Sequence, residues 1–516
     1  MGSFPFGYKP IEATTWAYVS SLLMLALFFK FRRFWSFRNV DLILIVLLSP
    51  GLLMVYYGQN PPENIVAELT NRVGRVENVG DDEGASSQLA PSADPTPSAS
   101  AAQEPESVAK TPGEVRSAEL LPNGPKSPLQ QWQTDLQYRG FLWLFAIGGV
   151  WLVRMLIDPA LKRKPFLESN LSSGGLTFLV CSLMFFLFAN VLISRPQVED
   201  ISGARGAVEI VHGTQQDLRR FGPGYALFHL FPTIPTIVNE TQLKSREPID
   251  HETTLHKYEA AAKTMAIISQ IAIVLALIYF GRNHFGDTTI GVGMAAIYLL
   301  LPYTAQMTGR VMHLLPAALL VWSITLYRIP AASGVLLGLA ASVAYYPLFL
   351  IPLFISFYWL EGRKRFVLGL TAAIVLAVAS LLLTSSDWTS FRDQLRAMFG
   401  FWLPISENLE GIWSLGWASA YRIPFLVGFV ALCITFAFWP ATKNLGSLIS
   451  CSCAAMIAVQ FWHGFGGGLY MAWYLPLALL IVFRPNLDDR TAEQYAQRRK
   501  RHQKSVLNPT TELTAA

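Results

Sequence analysis

Apolar residues in this chain come in long runs rather than in the period-2 or period-3.6 patterns of a half-buried strand or surface helix. The runs lie at about 16–31, 40–57, 139–157, 174–194, 263–281, 288–303 and 311–327. They continue at about 332–360, 366–384, 423–439, 446–462 and 469–484. A helix crosses the hydrocarbon core of a bilayer with roughly 20 apolar residues, give or take a few. Each run therefore predicts a crossing. The 332–360 run is long for one span and is interrupted by Pro347 and Pro352, each of which removes a helical hydrogen bond. It predicts two short helices turning at Tyr345-Tyr346-Pro347. A single kinked helix is the alternative, and it would invert the last third of the chain. Residues 1–15 lack the basic start and small-residue cleavage site of a signal peptide.

Composition sharpens this picture. Residues of the AVILMFWYC set make up 52% of the chain and charged residues 15%, with a mean hydropathy of +0.36. Soluble domains carry about 25% charged residues, so a soluble domain, a disordered chain and a disulfide scaffold are excluded. The fold class is an all-α polytopic membrane protein of about 13 transmembrane helices with a disordered outer-side linker. Cys181, Cys433, Cys451 and Cys453 all lie in apolar runs and read as small core residues.

Basic clusters orient the spans, because Lys and Arg of short loops stay cytoplasmic. Lys30, Arg32, Arg33 and Arg38 follow the first run, Lys162 to Lys164 the third, and Arg363 to Arg365 the hairpin. Arg498 to Arg501 sit in the C-terminal tail. All fall on one side only if 332–360 crosses twice, which puts the N-terminus outside and the C-terminus in the cytoplasm of a cell (inner) membrane. This placement accounts for the net charge of +5 and points to membrane lipids, with no nucleic acid as partner.

The chain then divides into a two-span N-terminal module (1–57) and a Ser-, Pro- and acid-rich outer linker (58–138). A third span with its cytoplasmic loop (139–173), a transmembrane core (174–485) and a basic tail (486–516) follow. The linker cannot bury a core and reads as a disordered tether. Two further outer segments, 195–262 and 385–422, are aromatic and polar by turns. The second suits amphipathic helices at headgroup depth.

Ionisable residues close to the outer face are functional candidates. Glu199 and Asp200 follow the fourth run by about six residues. A carboxylate there can accept a proton from a hydroxyl or coordinate a divalent cation, although no cofactor and no metal site is indicated. A solvated helix-end charge fits the same spacing. Arg310 and His313, in the short turn TGRVMH, can meet a phosphate or snorkel to headgroups. His463, in FWHGFGGGLYMAWYLP, lies at the outer end of the twelfth span beside a glycine turn. There it can assist charge or proton transfer, or simply hold a hydrogen bond.

Three stretches recur together in a known order: DISGARGAVEIVHG at 200–213; YFGRNHFGDTTIGVG through TGRVMHLLPAALLVW, with ASGVLLGLAASVAYYPLFLIPLF; and SFRDQLRAMFGFWLPISENLEGIWS with HGFGGGLYMAWYLPLALLIVF. Across about residues 174–485 the chain resembles the GT-C membrane glycosyltransferases, and most closely the glycosyltransferase family 87-like proteins of bacteria. The resemblance implies transfer of a sugar on the outer face from a polyprenyl-phosphate donor, with inversion. It assigns the base to Asp200, or to its neighbour Glu199. In the enzyme reading Arg205, Arg310, His313, Tyr345, Tyr346 and His463 bind the substrates, and a cation such as Arg310 or Arg205 stabilises the leaving polyprenyl phosphate. Two positions depart from the family pattern. The turn TGRVMH has no Asn or Asp, and Ala344, before Tyr345-Tyr346-Pro347, stands where many members have Lys. Arg310 is the nearest substitute for that charge. The first three spans lie outside the resemblance and read as an added module with an unknown protein partner. A non-catalytic transporter or assembly subunit on the same scaffold is the competing reading. Convergence of Asp200, Arg310 and His463 on one site separates the two.

Overall fold

The computed structural model describes residues 11–70, 127–161, 169–212, 222–243, 251–385, 387–399, 409–464, 469–487 and 491–492. Every regular element among them is helical. Helices α1 (Ala13–Phe28), α2 (Phe37–Gln59), α3 (Pro128–Ile157) and α4 (Ser173–Ile193) precede two more polar ones, α5 (Val198–His212) and α6 (Pro223–Leu243). Next come α7 (His251–Phe280), α8 (Thr288–Leu300), α9 (Pro302–Met307) and α10 (Val311–Thr325). The chain goes on through α11 (Pro330–Val343), α12 (Ile351–Phe357), α13 (Arg363–Thr384) and α14 (Trp388–Phe399). The last three are α15 (Arg422–Phe438), α16 (Leu445–Gln460) and α17 (Leu475–Phe483).

Six helices, α2, α3, α4, α7, α13 and α15, are long and apolar enough to cross a bilayer. Their outward faces carry large apolar side chains such as Val150, Phe178, Phe185, Leu368, Val427 and Phe438, all exposed. Water does not tolerate contiguous apolar surface on that scale, whereas lipid does. The protein is a helical membrane protein. The remaining apolar runs form shorter helices of 10–17 residues. α8, with 13 residues, is only about 20 Å long at 1.5 Å per residue. α8, α16 and α17 are buried on nearly all sides, so their apolar sequence reports enclosure by other helices. Cys433, Cys451 and Cys453 are buried as expected, but Cys181 faces outward from α4.

The chain forms two compact units, Met1–Leu53 with Tyr138–Ala516, and Met54–Gln137. Within the larger unit the N-terminal helices touch the helices that follow residue 173. Trp16 Nε1 donates to the Leu300 carbonyl at 3.2 Å, and Phe28 meets Phe483 edge-on at 5.6 Å. Within the smaller unit, Gln137 Nε2 donates to the Gly58 carbonyl at 2.8 Å. The low-complexity part of the expected linker and the basic tail lie outside the described residues.

A buried charge network fastens the N-terminal helices to the last one. Arg154 donates to both carboxylate oxygens of Asp41, at 2.8 and 3.0 Å, and to Asp158 Oδ1 at 2.9 Å. Arg484 completes it, donating to Asp158 Oδ2 from Nη2 at 2.6 Å. Paired guanidinium and carboxylate groups satisfy each other where water is absent.

The 332–360 segment resolves into two helices, with Ala344 extended between α11 and the turn that leads to α12. α11 and α13 run parallel and start side by side. A Cβ at Gly334 would lie 2.1 Å from the Phe366 carbonyl, and one at Gly369 would lie 2.1 Å from the Ala331 carbonyl. Small residues let the two backbones approach. The chain between them therefore returns to its starting side, where the Tyr358 hydroxyl donates to the Tyr327 carbonyl at 2.7 Å.

The described residues of the 195–262 segment are largely helical. α5 and α6 pack on each other and on α7, α11 and α13, burying Ala204, Ala207, Tyr225 and His229. Gly203 admits the rings of α6, for a Cβ there would meet His229 and Tyr225 at 2.5–2.6 Å. By contrast, the 385–422 segment holds α14, whose Trp388 is exposed and whose Phe391 is buried against Ala377 and Leu381 of α13.

Candidate functional site

Asp200 sits in the first turn of α5, where an acidic residue complements the helix dipole. Its side chain points inward with Ala204 and Ala207 rather than to solvent, and only 1% of its surface is exposed. Oδ1 accepts a 3.0 Å hydrogen bond from the backbone N–H of Val311, the first residue of α10. That N–H has no partner within its own helix. Among the described residues, Oδ2 has no hydrogen bond. It faces Arg310 Nη1 at 3.7 Å, and Glu199 Oε2 lies 3.8 Å from the same nitrogen. One guanidinium thus serves two carboxylates.

Burial pushes the Asp200 carboxyl up from the ordinary 3.8 to about 6. Arg310 and the Val311 N–H pull in the opposite direction, while the Glu199 charge adds to the rise. A carboxylate poised near 6 is a competent base at neutral pH. Beside it, burial and then the charges of Asp200 and Glu199 hold the Tyr225 hydroxyl well above the ordinary tyrosine range. Tyr225 is therefore a neutral hydrogen-bonding group.

An aromatic wall joins this corner to the hairpin turn. His313 stacks on Tyr470 at 4.4 Å and 19°, with its Nδ1 hydrogen-bonded to the Tyr303 hydroxyl at 2.7 Å. His463 lies 4.8 Å from the Tyr470 ring and 4.6 Å from Tyr346. The Tyr345 hydroxyl donates to that of Tyr346 at 2.7 Å. Asp200 and Glu199 with Arg310, then His313, His463 and the tyrosine pair, form one continuous run of contacts through Tyr470 and the α10 N-terminus.

Two expectations change in detail. Arg205 points out from α5, 73% exposed, and pairs with Glu209 at 3.2 Å, away from the other site residues. It is about 140° around the helix from Asp200 at 100° per residue. His313 does not reach toward headgroups; its imidazole is enclosed between Tyr303 and Tyr470. Among the described residues, no three or more His, Cys, Asp or Glu side chains come together as metal ligands. The glycines at 466–468, expected to form a turn after His463, lie outside the described residues.

Tyr225, Tyr470 and Arg422 were not apparent from the sequence. Arg422 opens α15, and its Nε donates to the Trp462 carbonyl at 3.0 Å. The Trp462 ring in turn meets Tyr346 edge-on at 5.5 Å. Tyr470 lies in the motif LYMAWYLP, where it looks like one aromatic among several. The chain matches no known protein-family model and has no match among characterised proteins.

Proposed function

We propose that the protein is a membrane glycosyltransferase of GT-C type. In this reading a sugar passes from a polyprenyl-phosphate donor to a hydroxyl acceptor on the outer face of the inner membrane. The chain crosses thirteen times, with its N-terminus outside. The observation that carries the reading is the Asp200 carboxylate, buried, with Oδ2 facing Arg310, at one end of an aromatic-walled run that reaches the hairpin tyrosines.

The acceptor oxygen attacks the anomeric carbon from the face opposite the phosphate, and Asp200 Oδ2 takes the hydroxyl proton. The glycosyl–oxygen bond breaks with its electron pair leaving on the polyprenyl phosphate, so the anomeric configuration inverts. Arg310 holds the Asp200 carboxylate in place electrostatically, while Glu199, beside the same guanidinium, repels its charge and keeps it basic.

One observation favours the non-catalytic alternative. Asp200 Oδ1 caps α10 through Val311, a structural task sufficient to bury a carboxylate. Full-length protein in nanodiscs, offered radiolabelled polyprenyl-phosphate sugars beside Asp200→Asn, distinguishes the two. Transfer or donor hydrolysis that requires Asp200 is the expected result. Turnover unchanged in the variant removes the base assignment, and no turnover of any donor overturns the glycosyltransferase reading.

A further inference from the structure

The connection from α1 to α2 reads KFRRFWSFR at 30–38, basic and aromatic residues by turns, without an acid. It is firmly built. Asn39, fully buried, clamps its start, for Nδ2 donates to the Lys30 carbonyl at 2.9 Å and Oδ1 accepts from the Lys30 N–H at 3.2 Å. Asn170 holds it from a second segment, donating to the Ala26 carbonyl at 2.8 Å and accepting from Lys30 Nζ at 2.9 Å. Phe29 is buried at the base and meets the rings of Phe31 and Phe34 edge-on at 5.1 and 5.3 Å. From that base Phe31 and Trp35 project outward, 78% and 86% exposed. Arg32 between them is exposed as well. Among the described residues neither Arg32 nor Lys30 has an acidic partner; Lys30 meets the neutral Asn170 amide.

α2 is long enough to cross a bilayer, so its first residue, Phe37, marks the membrane surface. The loop before it therefore lies at headgroup depth. This is the end of α1 remote from the candidate site. Trp16, near the start of α1, bonds to Leu300, after which α9 leads to Arg310. The loop follows the other end of α1, whose 16 residues extend roughly 24 Å at 1.5 Å per residue.

Aromatic rings at headgroup depth are at home in any bilayer. Cations without acidic partners at the same depth are selective, because an anionic headgroup leaves them a net charge to neutralise, whereas the choline of a zwitterionic one opposes them. A soluble anion gains nothing from the rings. Because the asparagine clamps and the Phe29 base already fix the loop, little ordering remains to oppose binding.

We propose that the 30–38 loop is a docking site for an anionic phospholipid of the phosphatidylglycerol class. Arg32 takes the phosphate, Lys30 adds its charge, and Phe31 and Trp35 enter the boundary between headgroups and acyl chains. The site is independent of the glycosyltransferase reading.

The test uses the full chain, stripped of lipid in detergent and titrated with phosphatidylglycerol or with phosphatidylcholine of the same acyl chains, with occupancy read by native mass spectrometry. Wild type is expected to prefer phosphatidylglycerol about tenfold. Arg32→Gln should cut that preference at least threefold at an unchanged melting temperature, and Arg32→Lys should keep most of it. Phe31→Ser with Trp35→Ser should weaken both lipids by a similar factor. Arg392→Gln, which removes an exposed charge paired with Asp393 on α14, should change nothing. In wild type, phosphatidylglycerol with a photoreactive headgroup should crosslink to the 30–38 peptide, a readout that needs no variant. Equal wild-type affinity for the two lipids, an unchanged preference in Arg32→Gln, an equal loss in Arg392→Gln, or crosslinks confined to other segments overturns the proposal. So does wild-type binding of both lipids by the ring variant.

Discussion

Asp200 reaches across 111 positions of sequence to accept a hydrogen bond from the backbone N–H of Val311. The contact joins the start of α5 to the start of α10 and sets Arg310 beside the second carboxylate oxygen. Two roles, capping and chemistry, are thereby assigned to different oxygens of one side chain.

Substitutions can separate these roles. Asp200→Asn keeps an oxygen to accept from Val311 but cannot take a proton. It is expected to lose about 10²–10⁴-fold in kcat with little change in melting temperature. Asp200→Ala leaves a buried N–H unpaired and is expected to cost a further ~1–3 kcal/mol of stability. Parallel kinetics and thermal unfolding in detergent check both; full activity in the Asn variant contradicts the base assignment.

The activity is expected to rise with pH through an apparent pKa of about 6, because Asp200 is a base only when ionised. Glu199 repels the ionised form and Arg310 attracts it. Glu199→Gln should therefore move the acid limb down, and Arg310→Gln should move it up. Stability runs the other way. The folded Asp200 holds its proton more tightly than the unfolded chain does, so its contribution falls as pH rises from about 4 to about 6. A pH–rate profile that does not shift in either variant rejects the assignment.

Arg154 serves Asp41 and Asp158 together. Arg154→Met removes the guanidinium that two buried carboxylates share, for an expected loss of ~3–5 kcal/mol. Asp158→Asn and Arg484→Met should couple, so that the double variant costs less than the sum of the two, by ~0.5–3 kcal/mol. Strict additivity in melting experiments would count against a shared network.

Gly369→Ala and Gly334→Ala place a methyl group into carbonyls 2.1 Å away across the α11–α13 contact. Each is expected to cost ~1–3 kcal/mol through overpacking. Gly149→Ala has nothing within 4 Å and should be neutral or stabilising by up to ~1 kcal/mol, as expected for a helical glycine. Equal melting temperatures for all three would show that the helices part without cost.

The proposed orientation is checked by single cysteines in a background with Cys181 replaced. A membrane-impermeant maleimide should label Ser87→Cys in intact cells and Ser505→Cys only after lysis. The reverse pattern inverts the topology.

What the sequence determines on its own is the solvent. Runs of apolar residues and 15% charge demand lipid, because hydrophobic burial is additive along the chain and needs no knowledge of partners. The break at Tyr345-Tyr346-Pro347 is equally local, since proline acts on its own turn. Only the tertiary structure decides which apolar runs face lipid and which, like α8, α16 and α17, are enclosed by other helices, for the two surroundings select the same side chains. It also decides that α5 and α6 join the bundle, through the space Gly203 leaves for Tyr225 and His229. The candidate site divides in the same way. Asp200, Arg310 and His463 stand out as rare polar residues near apolar runs. Tyr470, which links the two histidines, and Arg422, which donates to the Trp462 carbonyl, depend on packing between segments far apart in sequence. No local pattern encodes such contacts.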